Sequence, residues 1–177
     1  MKRLFCLLML LFLCPGLAAA QSLPELTVVT PAPTAVPAGT EFSCEAFIVY
    51  LPAGLEPLVE EDLAAYEAAL QAGFPDTAQI QLAAVNAGHS AALCFALMDS
   101  VQTPADAARE AAMHILGNSD TVAELAFGAN TCAGFACAAD DTTYRLYYFS
   151  NGTQLLLVSA SGLRDREVEA MLTSLDF

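Results

Sequence analysis

The stretch YRLYYFSNGTQLLLVS, residues 144–159, contains two apolar runs separated by the short polar sequence SNGT. Aromatic and aliphatic residues dominate both runs, which is typical of β-strands. An Asn-Gly pair such as Asn151-Gly152 between two such runs indicates a β-hairpin, because both residues tolerate the positive φ angles of a tight turn. We therefore predict strands at residues 144–149 and 154–159 that pair through this turn.

The first of these runs is aromatic, with Tyr144, Tyr147, Tyr148 and Phe149. Such side chains could line a ligand surface, but in a sheet they more often form cross-strand pairs and core. We interpret them as core.

Outward from the hairpin, the chain alternates between strand and helix patterns. Further strands are predicted at residues 46–51, 78–85, 91–98, 121–127 and 135–138, and helices at residues 59–72, 104–116 and 164–174. The run at 91–98 is apolar on both sides and could also be a buried helix. The resulting order, β-α-β-β-α-β-β-β-β-α, favours a mostly antiparallel sheet with helices packed on its faces. We predict one α+β domain at residues 43–177.

The second predicted helix has clear signals at both ends. Thr103 is in position to cap the helix, Pro104 suits the first helical position, and Asp106 lies three residues after the cap. Gly117 follows Leu116 as a stop signal.

Residues 1–20, MKRLFCLLMLLFLCPGLAAA, have the pattern of a secretory signal peptide. Lys2 and Arg3 precede an apolar run at residues 4–13, and small residues precede a cleavage point after Ala20. The apolar run is shorter than the about 20 residues that a membrane-spanning helix needs. We expect an exported protein, secreted or held in the cell envelope, with no membrane insertion after cleavage.

Residues 21–42 contain four prolines as well as several threonines. Proline at this density keeps a chain extended and removes backbone donors, so we predict a semi-rigid Pro/Thr-rich spacer before the domain. After residue 20 the chain has four arginines, no lysine and 20 acidic residues, a net charge of −16. A surface this acidic repels phosphate backbones and anionic lipids, so no nucleic-acid binding is expected.

Four cysteines follow the predicted signal, and in an exported domain they predict two disulfides. Cys132 and Cys137 bound the stretch CAGFAC and could face each other across a hairpin loop, which leaves Cys44 to pair with Cys94. A redox site is disfavoured, because its two cysteines normally have two residues between them and lie at a helix start, whereas four residues separate Cys132 and Cys137. Zinc is disfavoured because no histidine lies near either pair.

The sequence GHSAA at residues 88–92 partly matches the nucleophile elbow of α/β-hydrolases. That elbow consists of a strand, a strained turn and a helix, whereas a second strand is predicted here. A histidine in the last turn of a helix, as His114 is predicted to be, is also explained by the helix dipole. A secreted serine hydrolase that uses Ser90 with His89 or His114 is therefore the alternative function, and no catalytic residue is assigned.

The remaining motifs have simple structural explanations. The acidic residues 60–62 fit a first helical turn, and Asp140 and Asp141 fit a turn between strands. Asn151 begins an Asn-Gly-Thr glycosylation sequon, but its role in the hairpin turn explains the sequence without modification. No calcium loop or phosphate-binding loop is present, and neither a metal nor a cofactor is expected.

The stretches AFIVYLPAGL at residues 46–55 and EVEAMLTSLDF at residues 167–177 resemble the two ends of PsbP/Mog1-like domains. The tryptophan that this family has near its first turn is absent, since the chain contains no tryptophan. The resemblance implies a compact α/β/α sandwich and accessory or binding roles rather than a shared catalytic site. We therefore expect a non-enzymatic binding or envelope accessory module whose partner is a protein, a glycan or a small molecule.

Overall fold

A computed structural model describes residues 19–21, 39–59, 63–64, 78–139 and 142–177 of the 177-residue chain. Within these residues the helices are α1 (Pro104–Leu116) and α2 (Asp165–Thr173). The strands are β1 (Ala19–Gln21), β2 (Gly39–Ser43), β3 (Ile48–Pro52), β4 (Leu55–Pro57), β5 (Ala78–Asn86), β6 (Ala92–Met98), β7 (Ala123–Phe127), β8 (Asn130–Ala139), β9 (Thr142–Ser150) and β10 (Leu155–Ser161).

Eight of the described strands form one sheet in the order β1-β8-β9-β10-β6-β5-β4, with β7 beside β1 on the outer edge of β8. Every described strand pairing is antiparallel. The remaining two strands, β2 and β3, form a separate two-stranded sheet. The expected α+β class with a mostly antiparallel sheet is therefore confirmed.

The predicted hairpin forms between β9 and β10, and it lies at the centre of this sheet. Ser150 pairs with Leu155, and the register continues without a bulge to the pair Tyr144 and Ser161. Gly152, in the turn, has a φ of 92°, a conformation that glycine adopts without steric cost. The aromatic residues of β9 are buried, so their interpretation as core is confirmed.

One face of the sheet is covered by α1, which packs against β8 and β9. The buried side of α1 is almost entirely alanine, and the sheet side presents large residues such as Phe135, Leu146 and Tyr148. Small side chains on the helix let its backbone lie close to these large ones, which preserves close packing. The helix itself has the predicted ends, with Thr103 Oγ1 accepting a hydrogen bond from the Asp106 N–H and Gly117 at a φ of 74°.

The other face is covered by α2 and by the β2–β3 sheet. Val168, Met171 and Leu172 of α2 lie in one buried cluster with Leu156 and Val158 of β10. The end of the chain ties these two covering elements together, because Ile48 and Asp176 exchange backbone hydrogen bonds in both directions, each 2.9 Å long. Both faces of the central sheet are thus closed by packed side chains.

The predicted disulfides are not present in this structure, where Cys44, Cys94, Cys132 and Cys137 are free. CAGFAC is not a hairpin loop: it lies entirely inside β8, with β9 on one side and β7 and β1 on the other. Cys132 and Cys137 are five positions apart in an extended strand, a separation of about 17 Å, and they point to opposite faces. Cys44 packs on the α2 side and Cys94 on the α1 side, so these two are also separated by the sheet.

Other predicted boundaries need smaller changes. The run predicted at residues 91–98 forms the strand β6 (Ala92–Met98) rather than a helix, and β8 begins five residues earlier than predicted. The strand β2 begins at Gly39, so residues 39–42 of the predicted spacer belong to folded structure. Most of the predicted signal, spacer and first helix, and the turn at residues 140–141, lie outside the described residues, although Leu63 and Ala64 are helical.

The strand β1 straddles the predicted cleavage point after Ala20. Ala19, Ala20 and Gln21 pair with Ala138, Cys137 and Ala136 of β8. Among the described residues, neither helix combines the length and the apolar composition needed to cross a bilayer.

The alanine-lined contact of α1 can be tested by overpacking. Ala108 is completely buried, so Ala108→Leu should lower the free energy of unfolding by about 1–3 kcal/mol, because the added carbons have no space beneath the helix. Met113→Leu, at a position of the same helix that is 54% exposed, is the matched control and should have little effect. Urea denaturation measures both, and equal stability of the two variants would contradict the packing described.

The free cysteines can be tested by thiol alkylation without reductant. Burial raises the pKa of the Cys94, Cys132 and Cys137 thiols to about 12, so few thiolates are present at pH 8. In the native protein Cys44, which is only partly buried, should therefore react first, and all four cysteines should react in denaturant. Mass spectrometry counts the modified sites, and a pair that stays unreactive in denaturant until reduced would show a disulfide.

Candidate functional site

Because both faces of the sheet are covered, the side chains available for binding lie mainly at its ends. At one end, the β5–β6 turn (residues 87–91) meets the loop between β10 and α2 (residues 162–164). The two segments touch, since a Cβ atom on Gly162 would lie 1.8 Å from the Ser90 carbonyl oxygen. We call this end, with the first turn of α2, the α2 end.

Asn86 organises the β5–β6 turn. Its Oδ1 accepts hydrogen bonds from the N–H groups of Ser90 and Ala91, at 2.8 and 3.1 Å. Its Nδ2 donates to Ser90 Oγ at 3.0 Å, and its main-chain carbonyl accepts from the His89 N–H at 2.9 Å. One asparagine side chain therefore satisfies the backbone donors that the turn would otherwise leave without partners.

Ser90 and His89, two residues of the hydrolase alternative, lie in this turn. Ser90 lies in a strand–turn–strand hairpin, so the strand–turn–helix elbow that exposes a nucleophile is not formed. His89 has a φ of 51° and is exposed, and His114 is exposed on α1. Within the described residues neither histidine side chain forms a hydrogen bond with Ser90, whose hydroxyl accepts from Asn86 instead.

Gly162 allows the chain to turn from β10 into α2. Its φ of 67° lies in the left-handed region, and any side chain there would collide with the Ser90 backbone. Glycine is the residue type that satisfies both conditions without strain. The close approach of the β10–α2 loop to the β5–β6 turn therefore depends on this position.

Arg145 connects the sheet to this loop. It lies on β9, and its side chain is 14% exposed beneath the start of α2. One guanidinium nitrogen donates to the Leu163 carbonyl at 3.1 Å, and the other pairs with the Asp165 carboxylate. A guanidinium can donate in two directions at once, so a single residue fixes both the loop and the first helical position.

Arg164 and Glu167 form the N-terminal cap of α2. The Glu167 carboxylate accepts the Arg164 backbone N–H at 2.9 Å and also pairs with the Arg164 guanidinium. A guanidinium has no acceptor atom, so only this half of a capping box can form. These hydrogen bonds hold the pKa of Glu167 at about 2, below its ordinary value of 4.5.

Three of the four arginines that follow residue 20 lie at the α2 end: Arg145, Arg164 and Arg166. The fourth, Arg109, pairs with Asp106 on α1 at 3.3 Å. Arg166 is exposed, and it has no ion-pair or hydrogen-bond partner among the described residues. Among the described arginines that follow residue 20, the one without an ion-pair partner is therefore at this end.

Within the described ranges, no group of three or more His, Cys, Asp or Glu side chains is arranged to hold a metal ion. The residues that build the α2 end are mostly ones that sequence reasoning missed, namely Asn86, Arg145, Gly162 and Asp165. One sequence signal could have identified Arg145. It is the single charged residue in a strand with apolar residues on both sides, and such a charge must find a partner.

Comparison with known proteins adds information on the fold alone. No protein-family model matches this chain, and no curated protein matches it. A crystal structure from Bacteroides thetaiotaomicron VPI-5482 matches 78% of this chain and 48% of that chain, with 14% sequence identity and a TM-score of 0.51. The match therefore spans less than half the length of that chain. The PsbP/Mog1-like resemblance stays a prediction.

The role of Gly162 can be tested by adding a methyl group. Gly162→Ala should lower the free energy of unfolding by at least about 2 kcal/mol, because it combines a left-handed φ with a backbone collision. Gly88→Ala at the same end is the control, since its Cβ would meet only Ser90 Oγ at 3.9 Å. Urea denaturation should separate the two variants, and equal stability would contradict the close approach described.

The helix cap gives a pH dependence with a defined sign. Because the pKa of Glu167 is lowered, its carboxylate stabilises the folded state above pH 4.5, and this contribution is lost as the pH falls from 4.5 to about 2. The stability difference between the wild type and Glu167→Gln should therefore shrink over this range. Glu169→Gln, on the same helix, controls for loss of a carboxylate. A difference that is constant with pH would refute the cap.

Proposed function

We propose that this protein is an exported, non-enzymatic binding module that engages its partner through the α2 end. The observation that carries the proposal is the concentration of arginines at this one end of a domain whose sheet faces are both buried. A partner can reach only the surface left by that packing, and this part of the surface offers Arg166, an exposed cation without an ion-pair partner in the described part of the chain.

The sequence supports export. Residues 1–20 combine basic residues, an apolar run and a small-residue cleavage point, and a Pro/Thr-rich segment follows them. The strongly acidic composition favours solubility outside the cell.

The arrangement of polar groups at the α2 end suits recognition rather than covalent catalysis. A serine nucleophile needs a base within hydrogen-bond reach, and the Ser90 hydroxyl is instead bonded to an asparagine amide. The loop backbone is held by Gly162 and Arg145, so the exposed groups are presented by a rigid support. Rigid presentation lowers the entropic cost of binding.

Arg166 indicates which chemical group of the partner is contacted. An exposed guanidinium recognises carboxylate and similar anionic groups through paired hydrogen bonds. The partner itself is a protein, a glycan or a small molecule that carries such a group. The acidic remainder of the domain would repel an extended polyanion, so an isolated anionic group fits better than a nucleic acid.

The proposal is tested by partner capture from the native culture medium and envelope extract. A partner retained by the wild-type protein should be retained by Arg109→Ala and bound at least about tenfold more weakly by Arg166→Ala, because a charge-assisted hydrogen bond contributes about 1.5–3 kcal/mol. Arg109 is a matched control, since it is an exposed helical arginine away from the α2 end.

Three outcomes would contradict the proposal. Equal retention by both variants would remove the α2 end as the binding surface. Ester hydrolysis that disappears in Ser90→Ala would show an enzyme. Cell fractionation that finds the uncleaved chain inside the cell would refute export.

A further inference from the structure

We propose that Asn151, at the tip of the β9–β10 hairpin, is a site of spontaneous modification, at which the side-chain amide is converted through a cyclic imide to aspartate or isoaspartate. The site lies at the end of the sheet opposite the α2 end, since β10 runs from the turn at Leu155 to Ser161 beside the β5–β6 turn. This inference does not depend on the proposed function.

The nucleophile of the reaction is the backbone nitrogen of Gly152. Glycine offers the least hindered backbone nitrogen, and a Cβ atom at this position would meet nothing within 4 Å, so the space around it is open. Its N–H donates to Ser150 Oγ at 3.0 Å. A hydroxyl at this distance can pass the proton on to solvent as the nitrogen attacks.

The electrophile is the side-chain carbonyl carbon of Asn151. Its Oδ1 accepts three hydrogen bonds, from the Thr153 N–H at 3.0 Å, the Thr153 hydroxyl at 3.0 Å and the Gln154 N–H at 2.9 Å. When the nitrogen attacks, negative charge develops on this oxygen. Donors already aimed at an oxygen that becomes charged stabilise the transition state more than the ground state.

The leaving group is free to depart. Asn151 is exposed, and within the described residues its Nδ2 forms no hydrogen bond. The bond from Gly152 N to Asn151 Cγ forms and the Cγ–Nδ2 bond breaks. The Gly152 proton passes to solvent base, and Nδ2 takes a proton from water and leaves as ammonia. Water then opens either C–N bond of the imide, which gives aspartate or isoaspartate.

The other asparagines of the chain are less suited to this reaction. Asn86 precedes alanine and has both side-chain polar atoms in hydrogen bonds. Asn130 precedes threonine, is partly buried and donates through Nδ2 to the Leu175 carbonyl. Asn118 precedes serine, whose side chain hinders the attacking nitrogen. Each therefore serves as an internal reference within the same protein.

Conversion would change the hairpin tip in two ways. It adds a negative charge to a turn whose Gln154 already donates through Nε2 to Asp99 Oδ1 at 2.9 Å. Isoaspartate also inserts an extra backbone carbon into the turn that sets the register of β9 and β10. Old and new protein molecules would thus differ in charge and in the geometry of the turn.

The experiment incubates the folded, full-length protein near pH 8 and follows each asparagine by peptide mapping that separates aspartate from isoaspartate. Asn151 should convert fastest of the four, and at least as fast as in a synthetic SNGT peptide, because the folded turn supplies the three donors. Asn151 converting no faster than Asn118, or more slowly than in the peptide, would overturn the proposal.

Two variants separate the chemical contributions. Gly152→Ala should slow conversion by hindering the nucleophile. Thr153→Ala removes one donor to Oδ1 and should slow conversion about fivefold in the folded protein, the loss expected for one hydrogen bond. The same substitution in the peptide should have a smaller effect. If Thr153→Ala slowed conversion equally in the folded protein and in the peptide, the folded turn would not assist the reaction, and its proposed role would be overturned.

Discussion

The strand β10 lies in the middle of the sheet and places apolar side chains on both faces. Leu155 and Leu157 point toward α1, whereas Leu156 and Val158 point toward α2. Its neighbours β6 and β9 have the same property. A strand of this kind cannot leave either face in water, so the fold must supply a covering layer on each side. The covering layer is the alanine-lined helix α1 on one side. On the other side it consists of α2 and the β2–β3 sheet.

This burial also determines where function can be located. With both faces closed, polar side chains are accessible mainly in the turns and at the first residues of the helices. Arg145 on β9 connects the rigid centre of the sheet to the loop that precedes α2. The exposed groups of that loop are carried by the stable core rather than by a free segment, which is the usual construction of a recognition surface.

Features encoded within a few neighbouring residues could be predicted from the sequence. The central hairpin follows from Asn151-Gly152 between apolar runs, and α1 follows from Thr103 at its cap. Features that join distant segments could not. Arg145 and its partner Asp165 are 20 residues apart, and the sequence around each residue does not indicate that the two side chains pair. The stretch CAGFAC was predicted incorrectly as a hairpin loop for a related reason. Its small residues are compatible with a loop, but also with a strand whose neighbouring strands and packed side chains fill the space beside it.

The position of that stretch inside β8 has a further consequence. A strand with an odd spacing between two thiols places one in each hydrophobic layer, and Cys137 lies under α1 while Cys132 lies under the α2 layer. Each thiol becomes accessible only when its own layer opens. The protein thus carries a natural pair of reporters, and their relative rates of exposure would reveal whether the two layers detach from the sheet as one cooperative unit or independently.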